Sequence, residues 1–299
     1  MSLETRQTVA EIADALLEES TLLYGVPYSK DDPAFGNLRP YLTDVNRQDF
    51  RIQDMLPVLP TDLMASPRRI LDLGSGPGIF TLRMCGFGHD AYGIDLDEKK
   101  IALAHAHVRE SGLPRDWAEK LCVADAGRLP FEGGTFDLVA SYHVLEHVSD
   151  LRSVLYEAVR VTKPGGYLHL QAPDYRFSYD THYMMPWPRM MPPAQALAWT
   201  TAMGRPSGGI DTIYRVTMPE VAALLDSLDC TIHTTLMREH RDNAVHPYRG
   251  SIPADPIVFQ AGADVSTIAN ELRRLASVNE LPDIYRTCLE FTIVAQRNR

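Results

Sequence analysis

Cysteine and basic side chains are both scarce in this sequence. The four cysteines, Cys85, Cys122, Cys230 and Cys288, lie far apart, which argues against a disulfide framework and a cysteine-based metal motif. No metal site is predicted. Lysine and arginine number 29 against 39 aspartates and glutamates, giving a net charge of −10. This balance argues against a resident nucleic-acid-binding protein, which would need clustered cations.

An uncharged apolar run long enough to cross a membrane is also absent from the sequence. Such a run needs about 18–20 residues, and acidic residues interrupt the N-terminal segment MSLETRQTVAEIADALLEES throughout. We therefore expect a soluble, cytoplasmic protein that has no membrane partner.

The first 66 residues predict a helical extension. Residues 4–24 carry apolar side chains at helical spacing, and these are Val9, Ile12, Ala13, Leu16, Leu17 and Leu23. The following segment GVPYSKDDPAFGNLRPYL is rich in Pro, Gly and Asp and predicts a long loop, before a short helix near 47–58.

From residue 69 onwards, short β-rich runs alternate with helical stretches. The runs are RILDLG, AYGIDL, KLCVAD, FDLVASY and GGYLHLQA, with helices expected at 97–111 and 149–160. This alternation predicts a parallel sheet with helices on both faces. A helix at 217–227 and the strands CTIHTTLM and TCLEFTIVAQ would complete it. We assign 67–299 to one α/β domain with insertions at about 173–215 and 238–284, the second containing a helix near 266–276.

Three glycines at alternate positions, Gly74, Gly76 and Gly78, follow the first strand of this domain. An NAD-binding fingerprint would place Gly or Ala where this chain has Ile79. Pro77 removes a backbone N–H that could otherwise hold a pyrophosphate. The loop therefore suits a ligand with an adenosine end and no phosphates better than it suits a dinucleotide.

Acidic residues close the next two strands. Asp95 ends the second strand, 21 residues after Gly74, where a carboxylate can accept hydrogen bonds from both ribose hydroxyls. Asp125 ends the third strand, where it can accept from an adenine amino group. Either residue alone could be a helix cap or a turn residue.

Five segments in this order resemble the class I S-adenosylmethionine-dependent methyltransferases. They are ILDLGSGPG, YGIDLDEKKIALA, ADAGRLPFEGGTFDLV, YHVLEHV and VTKPGGYL. The likeness is strongest to the small-molecule group that includes the quinone methyltransferases, and it covers about residues 68–173. It implies a doubly wound, Rossmann-like sheet of seven mainly parallel strands. In that fold the last strand is inserted antiparallel between the fifth and sixth, which TCLEFTIVAQ would fit.

The resemblance also implies S-adenosylmethionine as cofactor and S-adenosylhomocysteine as product. Asp72 and the loop would lie under the methionine part, Asp95 would hold the ribose, and Leu96 would pack on the adenine. Asp125, with the backbone of Ala126, would read the adenine edge, and the chain at 141–143 would receive the amino-acid end. The predicted cofactor-binding residues are Asp72, Gly74, Ser75, Gly76, Asp95, Leu96, Asp125, Ala126 and Tyr142.

Methyl transfer from a sulfonium is a direct displacement, so the protein mainly has to align the reactants and exclude water. A base is needed only if the acceptor is a hydroxyl or another poorly acidic group. His143, His147 and His182 are the candidate catalytic residues, because an imidazole can accept a proton near neutral pH. A structural or cofactor-side role for His147 is the competing interpretation, while Glu146 is expected to cap or to form an ion pair.

The segment PDYRFSYDTHYMMPWPRMMPP is too irregular for a helix or strand and too apolar for a free linker. Its aromatic and methionine side chains would give the acceptor pocket apolar, adaptable walls. The candidate pocket residues are Tyr175, Tyr179, Tyr183 and Trp187. A dimer contact or a packed crossover is the alternative for this segment. The extension, with Tyr24, Tyr28, Arg39 and Tyr41, would form a lid over the cofactor.

The favoured function is therefore methyl transfer to an O, N or C atom of a small organic acceptor, with a bacterial secondary metabolite or a sugar as candidates. The alternatives are a non-methylating reaction of the same cofactor and a non-catalytic binding scaffold. Amino-methylating DNA enzymes of this fold carry an Asn/Asp-Pro-Pro-aromatic run after the fourth strand, where this chain has SYHVLEHV. No nucleic-acid partner is expected.

Overall fold

A computed structural model of the protein describes residues 7–25, 38–45, 49–177, 179–188, 191, 193–239, 245–247, 264–278 and 289–298. Tyr28 of the predicted lid and much of the insertion predicted at 238–284 lie outside these residues.

The described residues form helices and strands whose order agrees with the predicted alternation. The helices are α1 (Val9–Tyr24), α2 (Leu38–Thr43), α3 (Asp49–Met55), α4 (Ile79–Gly86), α5 (Glu98–Glu110), α6 (Leu151–Val161), α7 (Ala196–Ala202), α8 (Met218–Ser227) and α9 (Val265–Ser277). The strands are β1 (Arg69–Leu73), β2 (Asp90–Asp95), β3 (Leu121–Val123), β4 (Phe136–Tyr142), β5 (Thr162–Pro173), β6 (Tyr179–Asp180), β7 (Met185–Pro186), β8 (Cys230–Glu239), β9 (Val245–Pro247) and β10 (Leu289–Arg297).

The main sheet has the order β3-β2-β1-β4-β5-β10-β8-β9. Strands β1 to β5 pair in parallel, and β10 runs antiparallel to both β5 and β8. This confirms the predicted doubly wound, Rossmann-like sheet with its antiparallel last strand. The short strand β9 pairs antiparallel with β8 and adds an eighth strand at the edge, inside the second predicted insertion.

Strand β10 shows how the centre of the sheet is held together. The neighbouring side chains of Ile293 and Val294 point to opposite faces, yet both are fully buried. Ile293 belongs to the core cluster that includes α6 and α8, and Val294 belongs to the cluster under α3 and α4. Because apolar layers cover both faces, the strand is a continuous hydrophobic run instead of an alternating one.

The N-terminal extension docks on the domain through α1. Thr8 and Glu11 form a reciprocal capping box that starts the helix. Its apolar stripe, including Ile12, packs against Leu103 of α5. The helix ends at Gly25, whose left-handed backbone (φ 64°) brings it so close to Pro206 that a Cβ would lie 2.3 Å from that ring. The extension therefore contacts the first insertion as well as the sheet domain.

The first insertion contains a short antiparallel hairpin, β6 and β7, where the sequence predicted irregular chain. The side chain of Asp180 closes the turn, because Oδ1 accepts hydrogen bonds from the amides of His182 (2.9 Å) and Tyr183 (2.8 Å). The predicted irregularity was therefore wrong for these few residues. Among the described helices, none has the length and apolar character needed to cross a membrane.

Replacing Phe291 by Ala tests the central position of β10. Phe291 is fully buried in the main core cluster, and removing such a side chain costs about 3–5 kcal/mol. Urea unfolding should show that loss, while Tyr156→Ala, at a side chain that is 55% exposed on α6, should change the unfolding free energy by under about 0.5 kcal/mol. Equal effects of both substitutions would contradict the topology.

Candidate functional site

The candidate site lies along one edge of the sheet. Because β1, β2 and β4 run parallel, the residues that follow them meet at the edge formed by the carboxyl ends of the strands, where open α/β sheets bind ligands. The glycine loop, Asp95 and the turn at 143–147 therefore come together, as the sequence predicted.

The three glycines of the loop all have left-handed backbone, with φ of 73°, 52° and 72° at Gly74, Gly76 and Gly78. A Cβ on Gly74 would lie 2.2 Å from Val144, and one on Gly78 would lie 2.7 Å from Ala104. A Cβ on Gly76 would meet nothing within 4 Å. Gly74 and Gly78 thus allow close packing, while Gly76 presents bare backbone on the open side of the loop.

Asp95 ties the loop to the second strand. Its Oδ2 accepts the amide of Gly76 at 2.9 Å, and Oδ1 accepts the amide of Asp97 at 3.0 Å. Each carboxylate oxygen retains a lone pair that a ribose hydroxyl could use. The neighbouring Leu96 is 71% exposed, which leaves its side chain available to pack on a ring. The contacts of Asp95 with the ribose and of Leu96 with the adenine remain predictions.

Asp125 and Ala126 follow β3 at the same edge. Asp125 is exposed, and its Oδ1 accepts the amide of Gly127 at 2.8 Å in a local turn. The turn leaves Oδ2 as the carboxylate oxygen that could face an amino group. The assigned contact with adenine remains a prediction.

Beneath the loop, Asp72 is fully buried and paired with Arg51 of α3. Arg51 Nη2 donates to Asp72 Oδ1 at 3.0 Å, and Thr81 Oγ1 donates to Oδ2 at 3.2 Å. Burial raises the pKa of Asp72, and Arg51 opposes that rise. The guanidinium also stacks on Phe80 (4.4 Å) and Tyr142 (5.0 Å). Asp72 thus anchors the extension under the loop, and its place beneath the methionine part of the cofactor remains a prediction.

His143 occupies a strained position between carboxylates. It has a left-handed backbone (φ 55°), and its ring stacks on Tyr142 with centroids 4.3 Å apart. Nε2 lies 2.9 Å from Glu290 Oε1, and Nδ1 lies 3.7 Å from Glu146 Oε1. Burial alone would lower the pKa of His143, but the carboxylates outweigh it and raise that pKa to about 9. A protonated imidazole has no lone pair, which argues against His143 as the base.

His147 and His182 face one another at the mouth of this edge. Their Nε2 atoms are 3.1 Å apart, and the rings meet edge to face with centroids 4.8 Å apart. His147 Nδ1 lies 2.8 Å from the carbonyl oxygen of Thr212, so Nδ1 carries the hydrogen and Nε2 the lone pair. The residue as a whole is exposed, yet desolvation of the imidazole and the neighbouring His182 lower the pKa of His147, which favours the neutral ring.

Asp180 and Tyr175 of the insertion lie near Nδ1 of His182, on the side of the ring away from His147. Asp180 is buried, and its Oδ1 lies 3.7 Å from His182 Nδ1. Tyr175 OH lies 3.4 Å from the same nitrogen and donates to Asp180 Oδ2 at 3.2 Å. Burial would raise the pKa of Asp180, but His182, Tyr183 and Tyr175 hold it below the usual value. The carboxylate is therefore ionised beside the ring.

The central part of this chain matches known proteins. A family model described as a methyltransferase domain matches residues 71–170. Residues 71–170 form a methyltransferase domain. This confirms the family that the five motifs resemble.

Two curated proteins that match part of this chain share one name. The chain is 41% identical over 99 residues to the ubiquinone biosynthesis O-methyltransferase of Methylococcus capsulatus, covering 33% of this chain and 40% of that protein. It is 39% identical over 101 residues to the enzyme of the same name from Thiobacillus denitrificans, covering 34% and 42%. The chain therefore spans about two fifths of the length of these relatives.

Solved structures share the fold over a longer stretch. A candidate sarcosine dimethylglycine methyltransferase from Galdieria sulphuraria has a TM-score of 0.52 at 15% identity, covering 86% of this chain and 87% of that chain. A methyltransferase from Methanosarcina mazei has a TM-score of 0.50 at 20% identity, covering 81% and 95%. These likenesses show the fold alone.

The aromatic side chains of the insertion lie outside residues 71–170, the part of the chain that matches the methyltransferase domain. Tyr175, Tyr183 and Trp187 are buried in the main core cluster, with 6%, 0% and 3% of their surfaces exposed. Tyr24 of α1 meets Tyr183 edge to face at 5.3 Å. Tyr179 is half-buried. The first three side chains thus form the packed interior of the insertion, and their role as acceptor-pocket walls stays a prediction.

Sequence reasoning missed three contributors to the site of the methyltransferase domain. Arg51 lies in a short helix with no motif, and Thr212 acts through its carbonyl oxygen, which every residue type carries. Glu290 did leave a signal, because it is an acidic residue in the otherwise apolar strand LEFTIVAQ. A charge in a buried strand needs a partner, which here is His143.

Replacing Arg51 by Met tests the buried ion pair. The substitution leaves the carboxylate of Asp72 without its cation, and breaking such a pair costs about 3–5 kcal/mol of unfolding free energy. The double variant Arg51→Met with Asp72→Asn removes both charges and should recover part of that loss in urea unfolding. Equal stability of the single and double variants would contradict the pairing.

Replacing Asp95 by Ala tests the ribose contact. We expect the affinity for S-adenosylhomocysteine to fall by more than about ten-fold, or ~1.4 kcal/mol, while the protein stays folded. Asp90→Ala is the matched control, because Asp90 begins the same strand and pairs with Arg69 and Lys120 at the opposite edge. Wild-type affinity in Asp95→Ala, measured by calorimetry, would remove Asp95 from the site.

Proposed function

We propose that this protein is an S-adenosylmethionine-dependent methyltransferase that methylates a hydroxyl oxygen of a small organic acceptor. The cofactor assignment is supported by the domain match and by a structural neighbour described as S-adenosylmethionine-dependent. It is also supported by the glycine loop, the carboxylate of Asp95 and the exposed Leu96. The choice of oxygen agrees with relatives that are named O-methyltransferases.

The paired histidines are the observation that carries the proposal of a hydroxyl acceptor. Two Nε2 atoms 3.1 Å apart can share at most one hydrogen. Because the hydrogen of His147 lies on Nδ1, its Nε2 lone pair points to His182 Nε2. A hydroxyl that replaces this contact could transfer its proton to that lone pair. A more acidic acceptor, or an amine that is already neutral, would not need such an arrangement.

Alignment supplies the rest of the proposed reaction. The oxygen lone pair attacks the methyl carbon, the C–O bond forms as the S–C bond breaks, and the sulfur keeps the bonding electrons. Holding the reactants in line can contribute up to several kcal/mol, roughly 7–11 in the best intramolecular cases. Tyr24 of α1 lies beside the ring of His182, with centroids 5.6 Å apart, and its OH contacts Thr212 Oγ1, so the extension shields one side of the histidine pair from water.

The acceptor is proposed only as a class. A bacterial secondary metabolite and a sugar remain candidates, and so does an acceptor related to those of the ubiquinone enzymes. A non-methylating use of the same cofactor and a binding scaffold are the alternatives that an activity assay separates from this proposal.

An acceptor screen tests the proposed function. The protein is incubated with S-adenosylmethionine and matched small aromatic and sugar-like compounds that carry a hydroxyl, an amine or neither, and mass spectrometry detects the gain of one methyl group. We expect methylation of hydroxyl compounds alone. His182→Ala should bind S-adenosylhomocysteine almost normally, yet turn over about 100-fold or more slowly.

Methylation of the amines alone would contradict the choice of oxygen. Loss of cofactor affinity in His182→Ala, in parallel with the loss of turnover, would place His182 in folding and not in chemistry.

A further inference from the structure

We propose that Glu146, His147 and His182 bind a divalent transition-metal ion at the carboxyl edge of the sheet. One ligand atom from each residue, a carboxylate oxygen or an imidazole nitrogen, lies within 4.8 Å of the others. Two ligands come from the turn after β4 and the third from the hairpin of the insertion, so no local sequence motif contains the set. The sequence analysis predicted no metal site.

The carboxylate of Glu146 is the first observation behind this site. Its side chain is fully buried, and neither oxygen receives a hydrogen bond from the described part of the chain. His143 Nδ1 lies 3.7 Å from Glu146 Oε1, and Glu290 Oε1 lies 2.9 Å from Nε2 of the same imidazolium. His143 therefore lies closer to Glu290 than to Glu146. A second cation beside Glu146 would balance the charge.

The distance between the imidazoles is the second, independent observation. Two metal–nitrogen bonds of about 2.0–2.1 Å, meeting at a right or tetrahedral angle, place their nitrogens about 3.0–3.4 Å apart. The two Nε2 atoms are separated by 3.1 Å. A hydrogen bond between the rings would account for that distance alone, but it would leave both oxygens of Glu146 without a hydrogen bond.

Neighbouring groups orient both histidines for metal binding. The Thr212 carbonyl oxygen, 2.8 Å from His147 Nδ1, fixes the hydrogen there and leaves the Nε2 lone pair facing the site. Asp180 Oδ1 lies 3.7 Å from His182 Nδ1, on the side opposite His147. A backbone carbonyl and a carboxylate behind the ligating rings are the usual supports of metal-bound histidines.

The donor set indicates which ions fit. Two imidazoles and one carboxylate suit Zn²⁺ and other first-row divalent ions, while Mg²⁺ and Ca²⁺ prefer sites made of oxygen alone. Three protein ligands leave a coordination position open for an outside oxygen. His147 is exposed, so an ion and an acceptor can reach the site from solvent.

The role of the ion in chemistry, but not its binding, rests on the proposed methyl transfer. With both Nε2 lone pairs bound to the ion, the ion would replace the histidine pair in activating the hydroxyl. An acceptor hydroxyl at the open position would lose its proton to water at lower pH, as metal-bound water does. Its oxygen lone pair would then form the bond to the methyl carbon while the S–C bond breaks and the sulfur becomes a neutral thioether.

Cobalt titration tests the site without using activity. The full-length protein is dialysed against a chelator, freed of it, and titrated with Co²⁺ while its visible absorption bands are recorded; Zn²⁺ is then added as a competitor. We expect one equivalent of Co²⁺ to bind with visible bands that Zn²⁺ abolishes and that equimolar Mg²⁺ leaves unchanged. His182→Gln and Glu146→Gln should each weaken binding by at least about 100-fold.

His233→Gln is the matched control, because His233 pairs with Gln296 on the outer part of the sheet and has no place in the site. Circular dichroism and thermal unfolding establish whether each variant is folded. If Glu146→Gln does not fold, the wild-type and His182→Gln titrations alone test the metal site. The proposal is overturned if wild-type protein gives no Co²⁺ bands at millimolar ion, or if His182→Gln binds as tightly as wild type. If the protein binds S-adenosylhomocysteine but does not bind Co²⁺, the metal site is overturned and the proposed function stands. If it binds Co²⁺ but does not bind S-adenosylhomocysteine, the proposed function is overturned and the metal site stands.

Discussion

The site depends on charged side chains that are buried beneath the carboxyl edge of the sheet. Arg51 pairs with Asp72 under the glycine loop and stacks on Tyr142, which in turn stacks on His143. His143 then lies between Glu290 and Glu146. Buried charges cost free energy unless neighbours compensate them, as Arg51 does for Asp72 and Glu290 does for His143. The series therefore fixes the positions of the loop, of the turn after β4 and of the last strand relative to one another.

Two additions to the methyltransferase domain complete this edge. The N-terminal extension contributes Arg51, which pairs with Asp72. It also contributes Tyr24, whose OH lies 2.9 Å from Thr212 Oγ1 of the insertion. The insertion supplies His182, which faces His147 of the domain. The domain match at 71–170 therefore contains the cofactor loop but only part of the chemistry proposed here. An acceptor would meet surfaces that the curated relatives need not share.

Local patterns predicted the parts of the structure that local forces determine. The alternation of strands and helices, the glycine loop and the acids after β2 and β3 follow from periodicity and backbone sterics, and the structure places them as expected. The pairing of Glu290 with His143 joins residues almost 150 positions apart, so no window of sequence could reveal it. The hairpin at Tyr179–Pro186 was missed because one side chain, Asp180, closes it. The acceptor pocket assigned to Tyr183 and Trp187 stays a prediction, because buried aromatic side chains occur both in pocket walls and in packed interiors.

The most direct test of this account is calorimetric titration of the protein with S-adenosylhomocysteine, with NAD as the control ligand. The geometry of the loop, with Pro77 and Ile79 at positions that a dinucleotide would use and Gly76 open beside Asp95, predicts micromolar binding of S-adenosylhomocysteine and no binding of NAD. Binding of NAD, or of neither ligand, would contradict the assignment of this edge as an S-adenosylmethionine site.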